Sequence, residues 1–266
     1  MPTIISWHTF QVTFDPLAGQ GVNGDGYVRG NTEVPGGRPQ RGSCMAIPAK
    51  EGLERLRAGN RRFREGNLEG GPPGEGHSRF VDLSGGQEPF AAILGCSDSR
   101  VPVEMIFDQG PGRLFVVRVA GHVVGPTGIG SLEFAVKELG VPLLLVFGHT
   151  GCGAIAASLA PKPRSGVEYI TDNLGEITGR ISTSLHACGR TEAPGKKLTA
   201  EEVERFHVGA VVNALVRESD LIADAVRSGE LQVVGSIYDL KTGRVEFFDE
   251  TTMLNGEGLS VGAVGA

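Results

Sequence analysis

Short apolar runs alternate with segments of helical periodicity between residues 90 and 160. The runs at residues 90–95 and 142–148 are almost continuously apolar, as strands buried on both faces require. This alternation predicts an α/β fold, in which a mainly parallel β-sheet is flanked by helices. In chain order, the alternating strand and helix segments are FAAILG, VPVEMIFD, RLFVVRV, GIGSLEFAVKELG, PLLLVFG and CGAIAASLA.

The C-terminal third predicts two helical regions and a hairpin. Residues 171–185 have helical periodicity. Residues 199–230 predict a long helix that begins with a Thr-x-x-Glu capping box at Thr199 and breaks near Gly209. Residues 231–250 predict two strands joined by a Lys-Thr-Gly turn.

The N-terminal part divides near residue 45. Residues 1–44 are rich in Gly and Pro, show no period beyond one short candidate strand, SWHTFQVTF, and predict a flexible extension. Met45 then opens a basic amphipathic helix with Leu53, Leu56 and Phe63 on one face. We therefore assign residues 45–266 to one catalytic domain, with Met45 as an alternative start of the natural chain.

Composition narrows the class of partner. The net charge is −6, the pI is about 5.6, and no dense Lys/Arg stripe occurs, which argues against nucleic acid and anionic membrane surfaces. No segment has the roughly 20 apolar residues of a membrane span, and the N-terminus lacks the pattern of a secretory signal. These observations predict a cytoplasmic protein that acts on a small molecule.

Four cysteines are too few for a disulfide scaffold in a chain of this length, which fits a reducing compartment. Cys44 and Cys188 have no other metal-capable residues around them, and we interpret them as bystanders. The other two cysteines have such neighbours. Their surroundings suggest metal coordination.

Those two cysteines follow predicted strands. Cys96 comes after the strand AAIL, and His149 and Cys152 come after the strand LLLVF. Ligands of open α/β sheets bind at the carboxyl ends of the strands, so the two loops can converge on one ion. Two thiolates and one imidazole match a zinc site with three protein ligands and an open fourth position, the catalytic arrangement.

Asp98 and Arg100 lie two and four residues beyond Cys96. The aspartate can reach the metal or its bound water, and the arginine can hold it through a charge-assisted, bidentate pair. Gly151 and Gly153 allow the backbone to approach the ion closely. The competing interpretations are a cysteine that acts as a small apolar side chain at the end of a strand and a solvated surface ion pair.

Three stretches together resemble the β-class carbonic anhydrases: CSDSRVPVEMIFDQGPGRLFVVRVAGH, GSLEFAVKELGV and GHTGCGAI. The resemblance runs from about Ala49 to about Glu250. It implies zinc-dependent, reversible hydration of carbon dioxide to bicarbonate. It also implies that Cys96, His149 and Cys152 are the zinc ligands and that Asp98 and Arg100 form the catalytic dyad.

The resemblance also implies a substrate pocket and a homodimer or higher homo-oligomer. Gln87 matches a position whose side-chain amide faces the pocket, and Gly153 is also expected to bind substrate. Phe115 and Phe134 match apolar positions supplied across the dimer interface, although many relatives have Tyr at the second. His122 stands where relatives have Asn, so it is either a structural or solvent-exposed histidine or a proton shuttle.

Members of the family divide by whether bicarbonate switches them off. The regulated group has a Trp three residues before the first Cys ligand, where this chain has Ile93. Arg118 and Tyr238 can supply the other two groups of that bicarbonate pocket, but Ile lacks the indole N–H and its packing surface. The resemblance therefore implies an unregulated enzyme in which Asp98 stays off the metal. Asp98 as a fourth ligand would mark an inactive form.

Two other functions stay open from the residues alone. One is a related zinc hydrolase or lyase acting on a small substrate such as carbon disulfide. The other is a zinc-binding module without turnover, against which the intact Asp98 and Arg100 count. A redox function of the cysteines is disfavoured because the sequence has no C-x-x-C motif.

Overall fold

The chain forms a five-stranded sheet with helices on both faces. The computed structural model describes residues 47–69, 84–159, 171–187 and 199–248. In these ranges the strands are β1 (Ala91–Gly95), β2 (Leu114–Arg118), β3 (Leu143–His149), β4 (Gln232–Tyr238) and β5 (Val245–Phe247). The helices are α1 (Ala49–Glu65), α2 (Val103–Ile106), α3 (Pro126–Lys137), α4 (Gly153–Leu159), α5 (Asp172–Ala187), α6 (Ala200–Glu218) and α7 (Asp220–Arg227), with a 3-10 turn at Ala120–His122.

The strand order is β2-β1-β3-β4-β5, with parallel pairing throughout except for β5, which runs antiparallel to β4. The predicted mainly parallel sheet and the C-terminal hairpin are therefore confirmed. In the central pair, Gly95 of β1 lies opposite Phe147 of β3. The loops that follow these two strands consequently leave the sheet at the same edge.

Both faces of the central strands are buried, which explains their continuous apolar sequence. Alternate residues of β3 point to opposite sides: Leu145 and Phe147 join a cluster with α1 and α2, whereas Leu144 and Val146 join a cluster with α3, α6 and α7. A third, smaller cluster surrounds Cys96 and Cys152 and includes residues of α4, α5 and α6. This third cluster supports the loops at the carboxyl edge.

Helix α1 is fixed to the end of α2 by close backbone contact and to the sheet by one buried amide. Leu56 is fully buried, as the predicted apolar face requires. The Asn60 side chain donates to the Gly243 carbonyl (2.9 Å) and accepts from the Val245 amide (2.9 Å), which ties α1 to the hairpin. At Gly59, a Cβ atom would overlap the carbonyl oxygen of Phe107.

The predicted break of the long C-terminal helix at Gly209 is wrong. Gly209 lies inside α6, and the chain breaks at Ser219, which has an extended backbone and a hydroxyl that accepts from the Ile222 amide (3.1 Å). A glycine costs a helix only about 1 kcal/mol, which buried packing offsets, whereas a serine cap starts a new helix. The Thr199 capping box is confirmed.

Several sequence predictions lie outside the described residues. They are the extension 1–44 with its SWHTFQVTF strand, and the bystander cysteines Cys44 and Cys188. Among the residues that are described, no helix is both long and apolar enough to cross a bilayer.

The contact at Gly59 generates a stability prediction. Gly59→Ala should lower the free energy of unfolding by about 1–3 kcal/mol, because α1 must move away from Phe107. Gly179→Ala is the matched control, since Gly179 lies inside α5 and a Cβ there meets nothing within 4 Å. The control should gain about 0.5–1 kcal/mol. Urea unfolding of the full chain measures both, and a Gly59→Ala variant as stable as the parent would contradict the packing.

Candidate metal centre

Three metal-capable side chains meet at the carboxyl edge of the sheet. Cys96 directly follows β1, His149 is the last residue of β3, and Cys152 follows in the next turn. One ligand atom from each lies within 4.8 Å of the others, and all three residues are buried. The two sulfur atoms are 3.9 Å apart and form no disulfide. The structure therefore brings together the three residues that the sequence predicts as ligands.

The His149 ring is oriented for coordination. Its Nδ1 lies 3.0 Å from the Thr150 carbonyl oxygen, which can only accept, so Nδ1 carries the proton. Nε2 then presents a lone pair, and it is buried without a hydrogen-bond partner. A buried polar atom without a partner is costly, and a bound cation would satisfy it.

The two thiol groups are hydrogen-bonded to each other. A hydrogen bond from Cys152 lowers the pKa of Cys96 to about 4, and the same bond raises the pKa of Cys152. Burial acts in the opposite direction on Cys96 and adds to the rise at Cys152. Cysteine binds metals as the thiolate, so metal binding would release the protons that these thiols carry.

Asp98 and Arg100 form a bidentate pair beside this group. Arg100 Nε donates to Asp98 Oδ1 (2.9 Å) and Nη2 donates to Oδ2 (2.7 Å). The guanidinium holds the pKa of Asp98 well below its usual range. Asp98 Oδ2 is also 3.9 Å from His149 Nε2, so the carboxylate faces the ligand atoms. Arg100 Nη2 further donates to the Gly151 carbonyl (3.3 Å), which links the two ligand loops.

Backbone geometry at the ligand loops depends on glycine at one position in particular. Gly151 has φ +66°, a left-handed conformation that favours glycine, and it precedes Cys152 in the turn. Gly153, predicted to contact substrate, begins α4 and is exposed.

Three further residues make hydrogen bonds to the two ligand loops, and the sequence analysis did not identify these contacts. Arg118 donates to the carbonyl oxygens of Cys96 (3.0 Å) and Asp98 (2.6 Å), which fixes the Cys96 loop. The Gly121 amide donates to Cys96 Sγ (3.3 Å), and Glu204 accepts from the Cys152 amide (3.1 Å). Burial raises the pKa of Glu204. A carboxylate four residues before Val208 on the apolar face of a helix is the signal that could have indicated Glu204.

The remaining predicted pocket residues lie on β2, on α3 and in the segment before β1. Phe115 is level with Ala92 in the sheet, four residues before Cys96. Its ring lies 6.3 Å from that of Phe134, which is 49% exposed. Gln87 is exposed and precedes β1.

His122 is fully buried, which excludes the solvent-exposed alternative. Its backbone has φ +41°, and its ring lies 4.6 Å from that of His207. Burial lowers the pKa of His122 well below its usual value. Neither ring nitrogen has a hydrogen-bond partner among the described residues.

Comparison with known proteins agrees with this geometry. The family model described as Carbonic anhydrase matches residues 91–245, more than half of the chain. "Carbonic anhydrase 2" of Mycobacterium tuberculosis is 38% identical over 196 residues, covering 73% of this chain and 90% of that protein. A carbonic anhydrase of Mycolicibacterium smegmatis is 39% identical over 193 residues, covering 72% and 89%.

Solved structures give the class. A β-carbonic anhydrase of Aspergillus fumigatus matches with a TM-score of 0.50 and 30% identity, over 63% of this chain and 79% of that one. A tetrameric β-carbonic anhydrase of Sordaria macrospora matches with a TM-score of 0.53 and 25% identity, over 75% and 94%. With its parallel sheet and its Cys-His-Cys group at the carboxyl edge, this chain belongs to the β-carbonic anhydrase family.

Proposed function

We propose that the chain hydrates carbon dioxide reversibly at a zinc ion held by Cys96, His149 and Cys152. The observation that carries the proposal is the convergence of their ligand atoms within 4.8 Å of one another, beside an ionised Asp98. The reaction joins carbon dioxide and water to give bicarbonate and one proton.

The donor set fits zinc. Tetrahedral zinc with Zn–S bonds of about 2.3 Å holds two sulfur atoms about 3.8 Å apart. Cys96 Sγ and Cys152 Sγ are 3.9 Å apart. The unpartnered Nε2 of His149 supplies the third ligand atom. Three protein ligands leave one position open, which supports a catalytic centre over a structural one.

The chemistry divides between the ion and the side chains around it. When bound, zinc lowers the pKa of water toward neutrality and so supplies the hydroxide nucleophile. Asp98, fixed by Arg100, would accept a hydrogen bond from the nucleophile and so help to orient it toward the substrate. Orientation of this kind lowers the entropic part of the barrier.

The low pKa of Asp98 favours an orienting role over storage of the proton. Its pKa lies well below the usual range because Arg100 bonds both of its oxygens. A general base needs a pKa near the working pH, and a strongly acidic carboxyl is a poor one. The proton therefore leaves to buffer.

A homodimer would complete the substrate pocket. Phe115 is level with Ala92, four residues before Cys96, and its ring is next to that of Phe134, while Gln87 precedes β1. A second copy would bring these residues to the substrate. Strand β2, the edge of the described sheet, has half-buried apolar residues and unpaired backbone groups, a surface suited to pairing. The tetrameric relative from Sordaria macrospora also supports a homo-oligomer.

The other expectations follow from the same site. The family match lies wholly within residues 45–266, which supports that range as the catalytic domain and residues 1–44 as an extension. Two thiolate ligands need a reducing environment, which supports a cytoplasmic location. The relatives named above are carbonic anhydrases, so carbon dioxide is favoured over carbon disulfide, and a catalyst over a module without turnover.

Loss of one thiolate should empty the centre. Cys152→Ser should reduce bound zinc from one per chain to below about a tenth, with loss of carbon dioxide hydration, because a hydroxyl is a far weaker zinc ligand than a thiolate. Cys188→Ser, the matched control, should keep both. Metal analysis and stopped-flow hydration measure the two properties. Full zinc occupancy in Cys152→Ser and Cys96→Ala alike would refute the ligand set.

The orienting role of Asp98 predicts a slow enzyme with an intact centre. Asp98→Asn should reduce hydration by a factor of ten or more, about 1.4 kcal/mol of barrier, while zinc stays bound. Asp224→Asn, which removes an exposed acid paired with Arg227, should have no effect. If Asp98→Asn and Arg100→Ala both retained full activity, the dyad would have no role.

The structure also predicts how activity depends on pH. Ile93 is fully buried toward α1 and α2, Tyr238 packs in the same cluster, and Arg118 is bonded to backbone carbonyls, which supports an enzyme without the regulatory bicarbonate pocket. Arg100 keeps Asp98 ionised and paired. The rate of carbon dioxide hydration should therefore decline smoothly as the pH falls, following the titration of a single group.

Stopped-flow rates between about pH 9 and 6, with and without added bicarbonate, test this expectation. A steep, cooperative loss of activity below about pH 8 that bicarbonate deepens would contradict it. A structure at neutral pH with Asp98 as the fourth zinc ligand would do the same.

A further inference from the structure

Helix α6 places two polar residues on its buried face. Glu204 and His207 are one turn apart and are 3% and 1% exposed, among Val203, Phe206 and Val208, which are also buried. Burying a carboxylate is expensive unless hydrogen bonds or charges compensate it. In the part of the chain that the structure describes, Glu204 has no cationic partner. We therefore expect both residues to have a specific role that compensates the cost of their burial.

Glu204 contacts the loop that carries one thiolate. Its Oε1 accepts from the amide of Cys152 at 3.1 Å, and the Gly151 amide is directed at the same carboxylate. Its Oε2 has no partner among the described residues. The hydrogen bonds that this carboxylate accepts from described residues therefore come from backbone amides of the ligand turn.

His207 contacts the loop beside the other thiolate. Its Nε2 lies 2.8 Å from the Gly121 carbonyl oxygen, which can only accept, so Nε2 donates. Its Nδ1 then accepts from the Ser184 hydroxyl at 2.6 Å. The amide of the same Gly121 donates to Cys96 Sγ at 3.3 Å. His207 therefore holds the residue that provides an N–H donor to the thiolate.

The position of Gly121 is restricted both by packing and by the hydrogen bond from His207. It adopts φ +65°, and a Cβ there would lie 2.8 Å from Ile181 Cδ1. Packing against α5 limits its movement on one side, and the bond from His207 fixes its carbonyl. The N–H that reaches Cys96 is aimed by these two constraints.

We propose that Glu204 and His207 are positioning residues through which one turn of α6 fixes both thiolate loops and sets the zinc affinity of the centre. The inference rests on the proposed zinc ligands Cys96 and Cys152. Hydrogen-bond partners of metal ligands typically contribute a factor of about 10–100 to metal affinity. Here both partners come from the same helix, although the two loops are more than 50 residues apart in sequence.

The test is the zinc dissociation constant of the full-length chain, measured by competition with a chromophoric chelator. Glu204→Gln and His207→Leu should each raise that constant by a factor of about ten or more. Glu201→Gln, an exposed acid on the same helix, is the control and should stay within about threefold of the parent. His207→Gln keeps an amide N–H near the position of Nε2 and should restore most of the affinity lost in His207→Leu.

Cobalt substitution provides a readout that a purely structural role would not change. Thiolate-to-cobalt absorption reports the geometry of the sulfur ligands, and it should shift or weaken in Glu204→Gln and His207→Leu but not in the two other variants. Circular dichroism checks the fold. If His207→Leu does not fold, the near-isosteric pair Glu204→Gln and Glu201→Gln decides.

The outcomes separate this inference from the proposed function. A parent chain that binds no zinc, or a Cys152→Ser variant that keeps it, refutes the ligand set itself. Normal zinc binding in the parent and loss in Cys152→Ser, together with parental affinity and cobalt absorption in Glu204→Gln, overturns only the positioning role.

Discussion

The parallel pairing of β1 with β3 is the constraint on which the centre depends. Gly95 lies opposite Phe147, so the chain leaves both strands at the same edge and delivers Cys96 and His149 to one point. A slip of one residue would turn alternate side chains of β3 from one buried face to the other. Because both faces are filled with apolar side chains, the core and the metal centre are fixed by the same register.

Charges and hydrogen bonds determine the roles of the side chains around the ligands. Two thiolates would neutralise a divalent ion, and the nearby Asp98 adds a further negative charge. Arg100 balances that charge and lowers the pKa of Asp98, which fits the proposed role of Asp98 as a hydrogen-bond acceptor. Beneath the loops, Glu204 and His207 make hydrogen bonds to backbone groups and leave the ligand atoms free for the ion.

The sequence predicted what local patterns control. Continuous apolar runs identified the buried strands, and residues at strand ends identified the candidate ligands and the Asp98–Arg100 pair. The predicted helix break at Gly209 was wrong, because buried packing outweighed the low helix propensity of glycine. The cap at Ser219 sets the break instead. Glu204 and His207 were missed because only the tertiary packing of α6 brings them to loops distant in sequence. The proposed contacts of Gln87 and Phe134 with substrate would require a second copy, which no pattern in one chain specifies.

X-ray absorption at the zinc edge of the purified full-length chain tests the central claim most directly. A centre of two thiolates, one imidazole and one open position predicts two sulfur atoms at about 2.3 Å and two nitrogen or oxygen atoms at about 2.0–2.1 Å. Four protein ligands with three or more sulfur atoms, or a shell made only of nitrogen and oxygen, would contradict the catalytic Cys96-His149-Cys152 centre.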